Sequence, residues 1–146
     1  MANTGRIGLA IAAGAAVVVL SQAIYAQSGG YQTVDGFFKL PDGRKIGSTA
    51  GITIDPDGTS IWAFERCGDQ FCAGSNAAPI LKFDATGKLV KSLGAGMFVR
   101  PHGIYIDREN NIWVTDGDGP DGKDPRRNGK GHQVFKLSPE GKVLMT

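Results

Sequence analysis

Only two cysteines, Cys67 and Cys72, occur in 146 residues, so neither a framework of several disulfides nor a four-thiolate metal site can be built. Long apolar runs are missing too: the longest uncharged apolar stretch, Ile7 to Leu20, has 14 residues, whereas a membrane-spanning helix needs about 20. Charge of one sign is not in excess, with 16 Lys and Arg against 14 Asp and Glu and a net charge of +2. No basic cluster is interleaved with aromatics, which removes the electrostatic ground for expecting nucleic acid as a partner. The chain has no Gly-x-Ser-x-Gly elbow, no phosphate-binding glycine loop and no His-Glu-x-x-His pair, so nucleophilic hydrolase, nucleotide and helix-borne zinc-protease chemistry have no motif to stand on.

What is present is glycine, 22 residues of it, set in turn contexts that point to many short strands. The first 26 residues stand apart from the rest. Arg6 precedes the apolar run, and small residues follow at Ala23 and Ala26. This is the layout of a secretory signal peptide. The expectation is a periplasmic or secreted protein with no stable membrane span once the signal is removed; an uncleaved N-terminal anchor is the alternative. These first 26 residues hold no adjacent arginine pair, which favours the general export route. In an oxidising compartment Cys67 and Cys72, five residues apart, are expected to close a small loop as a disulfide. Residues 27–36 read as a polar linker.

From Phe37 onward the sequence repeats itself. Gly51-Ile52-Thr53-Ile54-Asp55 alternates apolar residues on one face, as a half-buried strand does. Pro56-Asp57-Gly58 turns the chain, Ile61 to Arg66 returns, and the cysteine loop follows. Pro79 to Asp84 and Lys88 to Leu93 make two more strands around the turn Ala85-Thr86-Gly87. The series then restarts at Gly103-Ile104-Tyr105-Ile106-Asp107, with Ile112 to Asp116, Gln133 to Leu137 and Lys142 to Met145 as the matching strands. Trp62 and Trp113 are 51 residues apart, and Gly87 and Gly141 are 54 apart.

Four short antiparallel strands per ~45–55 residues is the sequence form of a propeller blade. One four-stranded sheet cannot bury both faces, and stacking blades radially does so. The expected fold is all-β: two blades, near 51–95 and 103–146, within a partial propeller spanning 37–146. A leading hairpin, 37–47, is expected to complete a missing last blade. A two-sheet sandwich is the alternative, disfavoured because the whole four-strand unit recurs. Closed propellers have ~4–8 blades, so the chain reads as part of a longer protein.

Departures from the repeat mark candidate sites. His102 stands where the first blade has Ala50, between Pro101, which restrains the backbone, and Gly103, which permits close approach. The expectation places it just ahead of the innermost strand of its blade. A neutral imidazole there could bind zinc with ligands from other blades; a turn histidine bonded to backbone is the alternative. Arg66 aligns with Gly117 of the second blade. Its guanidinium could pair with a carboxylate or offset an oxyanion, or form a surface ion pair with Glu65 or Asp69. Asp55 and Asp107 recur at equivalent strand ends and read as turn caps. Asp116 to Gly122 fails the EF-hand calcium pattern, since its fifth position is Pro120 and its sixth Asp121; it reads as a flexible acidic loop. His132, at the opening of the third strand of its blade, reads as a loop or packing residue, with a second metal ligand as the alternative.

Gly51 to Asp55, the strand ending in Glu65-Arg66, Pro101-His102-Gly103-Ile104-Tyr105-Ile106-Asp107, Trp113-Val114-Thr115-Asp116 and His132 to Leu137 together resemble six-bladed NHL-repeat propellers, in the branch of the peptidyl-α-hydroxyglycine α-amidating lyases and their bacterial relatives. The resemblance covers roughly 37–146. It implies a zinc enzyme that cleaves a peptidyl-α-hydroxyglycine to a peptide amide and glyoxylate. It matches His102 to a zinc ligand, Arg66 to an active-site arginine, and Ile52 and Ile104 to positions whose backbone carbonyls bind a structural calcium. The remaining zinc ligands and a catalytic tyrosine belong to later blades, so these two blades alone are expected to be inactive. The substrate would be a small molecule or peptide. A non-catalytic propeller that binds a ligand or protein is the competing expectation. A sugar-lactone hydrolase would need a cluster of acidic metal ligands that these two blades do not offer.

Overall fold

Alternating apolar residues, short spacing and turn-forming tetrads produce eight strands. The computed structural model describes residues 30–146, and the account below concerns the unit Val34–Thr146. The expected export segment, 1–26, and the start of the linker lie outside the described residues. Strands β1 (Thr49–Ile54), β2 (Ile61–Glu65), β3 (Ile80–Phe83) and β4 (Leu89–Leu93) form one antiparallel sheet in the order β1-β2-β3-β4. Strands β5 (Pro101–Ile106), β6 (Ile112–Asp116), β7 (Gln133–Leu137) and β8 (Val143–Met145) form a second in the order β5-β6-β7-β8. These are two propeller blades.

The blades lie side by side with their first strands adjoining. A Cβ placed on Gly51 of β1 would stand 3.0 Å from Ile104 Cγ2 and 3.3 Å from the His102 carbonyl oxygen. A side chain there would press on the neighbouring strand, and glycine relieves that close approach. Between the sheets runs one apolar layer. Trp62, Phe64 and Ile80 come from the first blade, and Ile112, Val114, Phe135 and Leu137 from the second. Period-2 alternation puts each set on one face. Phe98, from the β4–β5 connection, is fully buried between them. Its ring sits edge-on to Phe64 at 5.0 Å and to Phe135 at 5.3 Å.

The expected leading hairpin does not form. The turn exists, with the Arg44 amide donating to the Pro41 carbonyl. Its second arm is drawn elsewhere, because the Gly47 amide and the Arg44 guanidinium both bond Glu65. The first arm contributes a single parallel bridge, Lys39 to Lys88. Phe38 lies against Phe83 with ring centroids 4.4 Å apart, where Leu40 also packs.

The two ends of the blade pair differ. One end carries four tight turns of a common design, in which the first side chain accepts later amides of its own turn. Asp55 takes Asp57 N–H, Asp84 takes Thr86 and Lys88, Asp107 takes Glu109 and Asn111, and Ser138 Oγ takes Glu140 and Lys142. Asp55 and Asp107 do more than cap. Each also accepts the indole N–H of its blade's tryptophan, at 2.7 and 3.0 Å, and each pairs with a lysine, Lys82 or Lys136, that lies over the same indole. The longer loops, 66–79 and 117–132, lie at the opposite end.

Burial opposes the charge on Asp107, yet hydrogen bonds from Trp113 and Asn111 and the Lys136 ammonium outweigh it and hold the carboxyl well below the usual range. Asp84, held by Thr86, is lowered as well. Such groups bind fewer protons folded than unfolded. Their stabilisation is complete above the ordinary carboxylate pKa of about 4 and is lost as pH falls through the folded values. Asp107→Asn is therefore expected to flatten the acid limb of the stability–pH curve below about pH 4. Urea melts over that range check it; an acid slope equal to wild type contradicts the assignment.

Candidate functional site

The two sequence candidates, 36 residues apart, are brought onto adjoining strands. Arg66 leaves the end of β2, and its Nε donates to the Pro101 carbonyl at 3.2 Å, on the residue directly before His102. Neither surface pairing considered for Arg66 is made. Glu65 is fully buried and bonds Arg44 instead, at 2.8 Å, together with the amides of Gly47 and Gly68. Asp69 accepts from the Gln70 amide.

His102 lies inside β5 rather than ahead of it. Pro101 pairs with Asp116 and Ile104 with Val114, so His102 and Gly103 together face Thr115. This is a β-bulge, which re-aims a side chain. The Gly103 amide is fixed to Thr115 Oγ1 at 2.8 Å. The imidazole is exposed and lies over Gly117, where an added Cβ would stand 3.2 Å from His102 Cδ2. The first blade has the same bulge at Ala50, since Thr49 pairs with Glu65 and Gly51 with Phe64. The blades exchange bulk reciprocally. In the first, a small Ala50 accompanies a large Arg66; in the second, a large His102 accompanies Gly117. Aligning the tryptophans shows the Arg66–Gly117 substitution in the sequence; its steric partner needs the register.

A second recurring carboxylate anchors this end. Asp116 occupies the position of Glu65, is buried, and accepts from the amides of Val99 and Arg100 at 2.7 and 2.6 Å. Burial pushes its carboxyl up, against those two bonds. Each acid thus pins the chain segment leading into the first strand of its own blade. The stretch read as a flexible acidic loop is instead organised: Asp118, Asp121 and Asp124 gather around Arg127 at 3.3 to 3.8 Å. A short 3-10 helix, Pro125–Arg127, is capped by Asp124. His132 packs on Gly119 and donates its amide to the Asp118 carbonyl.

Cys67 and Cys72 form a disulfide with Cα atoms 5.1 Å apart. The Cys72 amide bonds the Val99 carbonyl, tying this loop to the approach to β5. Phe71, within the loop, lies beneath two guanidinium groups, Arg100 at 5.5 Å and Arg127 at 4.9 Å from the ring centre. Sequence reasoning gave neither Phe71 nor Arg100 a role.

Ile52 and Ile104 lie mid-strand in β1 and β5 and differ in surroundings: the Ile52 side chain is exposed, whereas Ile104 packs against the inter-blade core. Among the described residues no three His, Cys, Asp or Glu side chains are placed to hold a metal ion together. A zinc centre takes about three or four protein ligands. His102 offers one, so the described residues do not by themselves fit zinc.

No family model matches the chain. It is 32% identical over 111 residues to peptidyl-glycine alpha-amidating monooxygenase B of Xenopus laevis, covering 66% of this chain and 11% of that protein. It is 39% identical over 57 residues to peptidyl-alpha-hydroxyglycine alpha-amidating lyase 1 of Drosophila melanogaster, 39% of this chain and 8% of that protein. With a probable lyase of the same name class from Caenorhabditis elegans it shares 30% over 87 residues, half of this chain and a quarter of that protein. The chain is a relative of these amidating proteins at modest identity. It spans about a tenth of the Xenopus protein's length. Among the described residues no helix is long and apolar enough to cross a membrane.

Proposed function

We propose that the chain is part of an exported, NHL-type six-bladed propeller that cleaves a peptidyl-α-hydroxyglycine to a peptide amide and glyoxylate. It would act in the periplasm or outside the cell. The observation that carries this reading is the meeting of Arg66 with the Pro101 carbonyl beside His102. These are the residues through which the sequence resembles the lyases, and relatives bearing that name match the chain.

In the reaction the carbinol hydroxyl gives up its proton, the carbon–nitrogen bond breaks, and the leaving amide nitrogen is protonated. Arg66 has one nitrogen fixed on the Pro101 carbonyl. That contact orients the guanidinium, leaving its terminal N–H groups to offset charge on the carbinol oxygen. His102, aimed by its bulge, would be one ligand of a zinc ion whose other ligands come from outside these residues. The carbonyls of Ile52 and Ile104 would hold a structural calcium. Bound zinc would supply Lewis acidity.

The test uses the full-length protein, with zinc content and glyoxylate release measured together. His102→Ala is expected to lose stoichiometric zinc and release no glyoxylate. Arg66→Gln is expected to lower kcat by about 10²–10³-fold with zinc retained. A His102→Ala protein that keeps both zinc and activity overturns the site. A folded, zinc-loaded wild type that releases no glyoxylate overturns the reaction and leaves a binding propeller.

A further inference from the structure

Arg44, Arg126 and Arg127 each pair with a carboxylate. Arg100 does not. Among the described residues its guanidinium makes no ion pair, and its Nε is buried without a hydrogen-bond partner. Among the described residues its terminal nitrogens make no hydrogen bond to protein. Its position is nonetheless fixed at both ends: the backbone amide is held by buried Asp116 at 2.6 Å, and the guanidinium lies 5.5 Å from the centre of Phe71. Stacking on a ring removes much of the ordering cost that a free arginine incurs when it binds an anion.

We propose that Arg100, stacked on Phe71, binds a carboxylate at the long-loop end of the blades, next to His102. Arg127 shares the ring but already faces Asp118, Asp121 and Asp124. Arg100 is the guanidinium at this ring with no carboxylate partner among the described residues, and the nearby aspartates oppose a multiply charged anion such as phosphate. The planar fork of an arginine fits a carboxylate through two parallel hydrogen bonds. Arg66 is bonded through Nε to the carbonyl of the residue after Arg100. A carboxylate held at Arg100 thus lies beside the residues of the proposed active site, yet its binding requires neither turnover nor metal.

The experiment is a titration of the whole chain with N-acetylglycine, N-acetylglycinamide and inorganic phosphate. The readout is the nitrogen-15 resonance of the Arg100 Nε–H, which burial protects from exchange. N-acetylglycine is expected to shift it saturably and the amide to leave it unmoved. Arg100→Gln is expected to weaken N-acetylglycine binding at least about tenfold, while Arg108→Gln, an exposed arginine in a turn at the opposite end, leaves it unchanged. Equal shifts from acid and amide overturn the proposal, as does tighter binding of phosphate. So does undiminished binding by a folded Arg100→Gln protein. Should that variant unfold, the wild-type acid-against-amide comparison decides alone.

Discussion

Glu65→Leu is expected to destabilise the two-blade unit by about 3–5 kcal/mol, the cost of leaving a buried charge and its donors unpaired. The Arg44 guanidinium would lose its carboxylate partner and keep the Ala78 carbonyl, and the Gly47 and Gly68 amides would lose their acceptor. The carboxylate is fully buried, so water cannot replace it. Glu65→Gln keeps the shape and one acceptor, and its expected cost is about 1–3 kcal/mol. Urea unfolding of the three proteins checks this order. If leucine proves as stable as glutamate, the acid does not hold the leading segment in place.

The second large effect is expected at Phe98. Truncation to alanine removes the ring that lies between Phe64 and Phe135. Large-to-small changes at fully buried aromatics cost about 3–5 kcal/mol, through lost transfer energy and the cavity left behind. Because the ring touches both sheets, the loss falls on their coupling as well as on global stability. Amide exchange of β2 and β7 is expected to accelerate together in Phe98→Ala. Faster exchange in one blade alone contradicts its role as the shared contact.

Phe98 also shows where sequence reasoning stops. The strands were legible because alternation and turn tetrads are local. Ile61 to Glu65 and Ile112 to Asp116 fall where their patterns place them, and the Asp-led turns follow from side chains that bond amides two to four residues on. Phe98 sits in a glycine-broken connection with no periodicity, and only the packing of two sheets against each other gives it a core position. The leading hairpin failed for a related reason. Its turn residues were read correctly, but the competing acceptor, Glu65, lies 21 residues beyond Arg44. Arg66 and His102 were legible as departures from the repeat. Their meeting was not, because the contact runs to the Pro101 carbonyl, and a backbone acceptor leaves no mark in the residue types. The Glu65–Asp116 equivalence was present in the tryptophan alignment, but an acid at a strand end looks the same in sequence whether it is solvated or buried.

Loops 66–79 and 117–132 interlock through Phe71 under Arg100 and Arg127, and through Arg126 against Gly74. Evolution can therefore exchange them only as a couple. A graft of the disulfide loop alone would take away the ring and leave two cations without a surface to rest on. A graft of the insertion alone would remove Arg127 and leave the ring to its neighbour. Recombination between homologous genes should break outside both segments, at the tight-turn rim, where each turn's amides are held by its own first side chain.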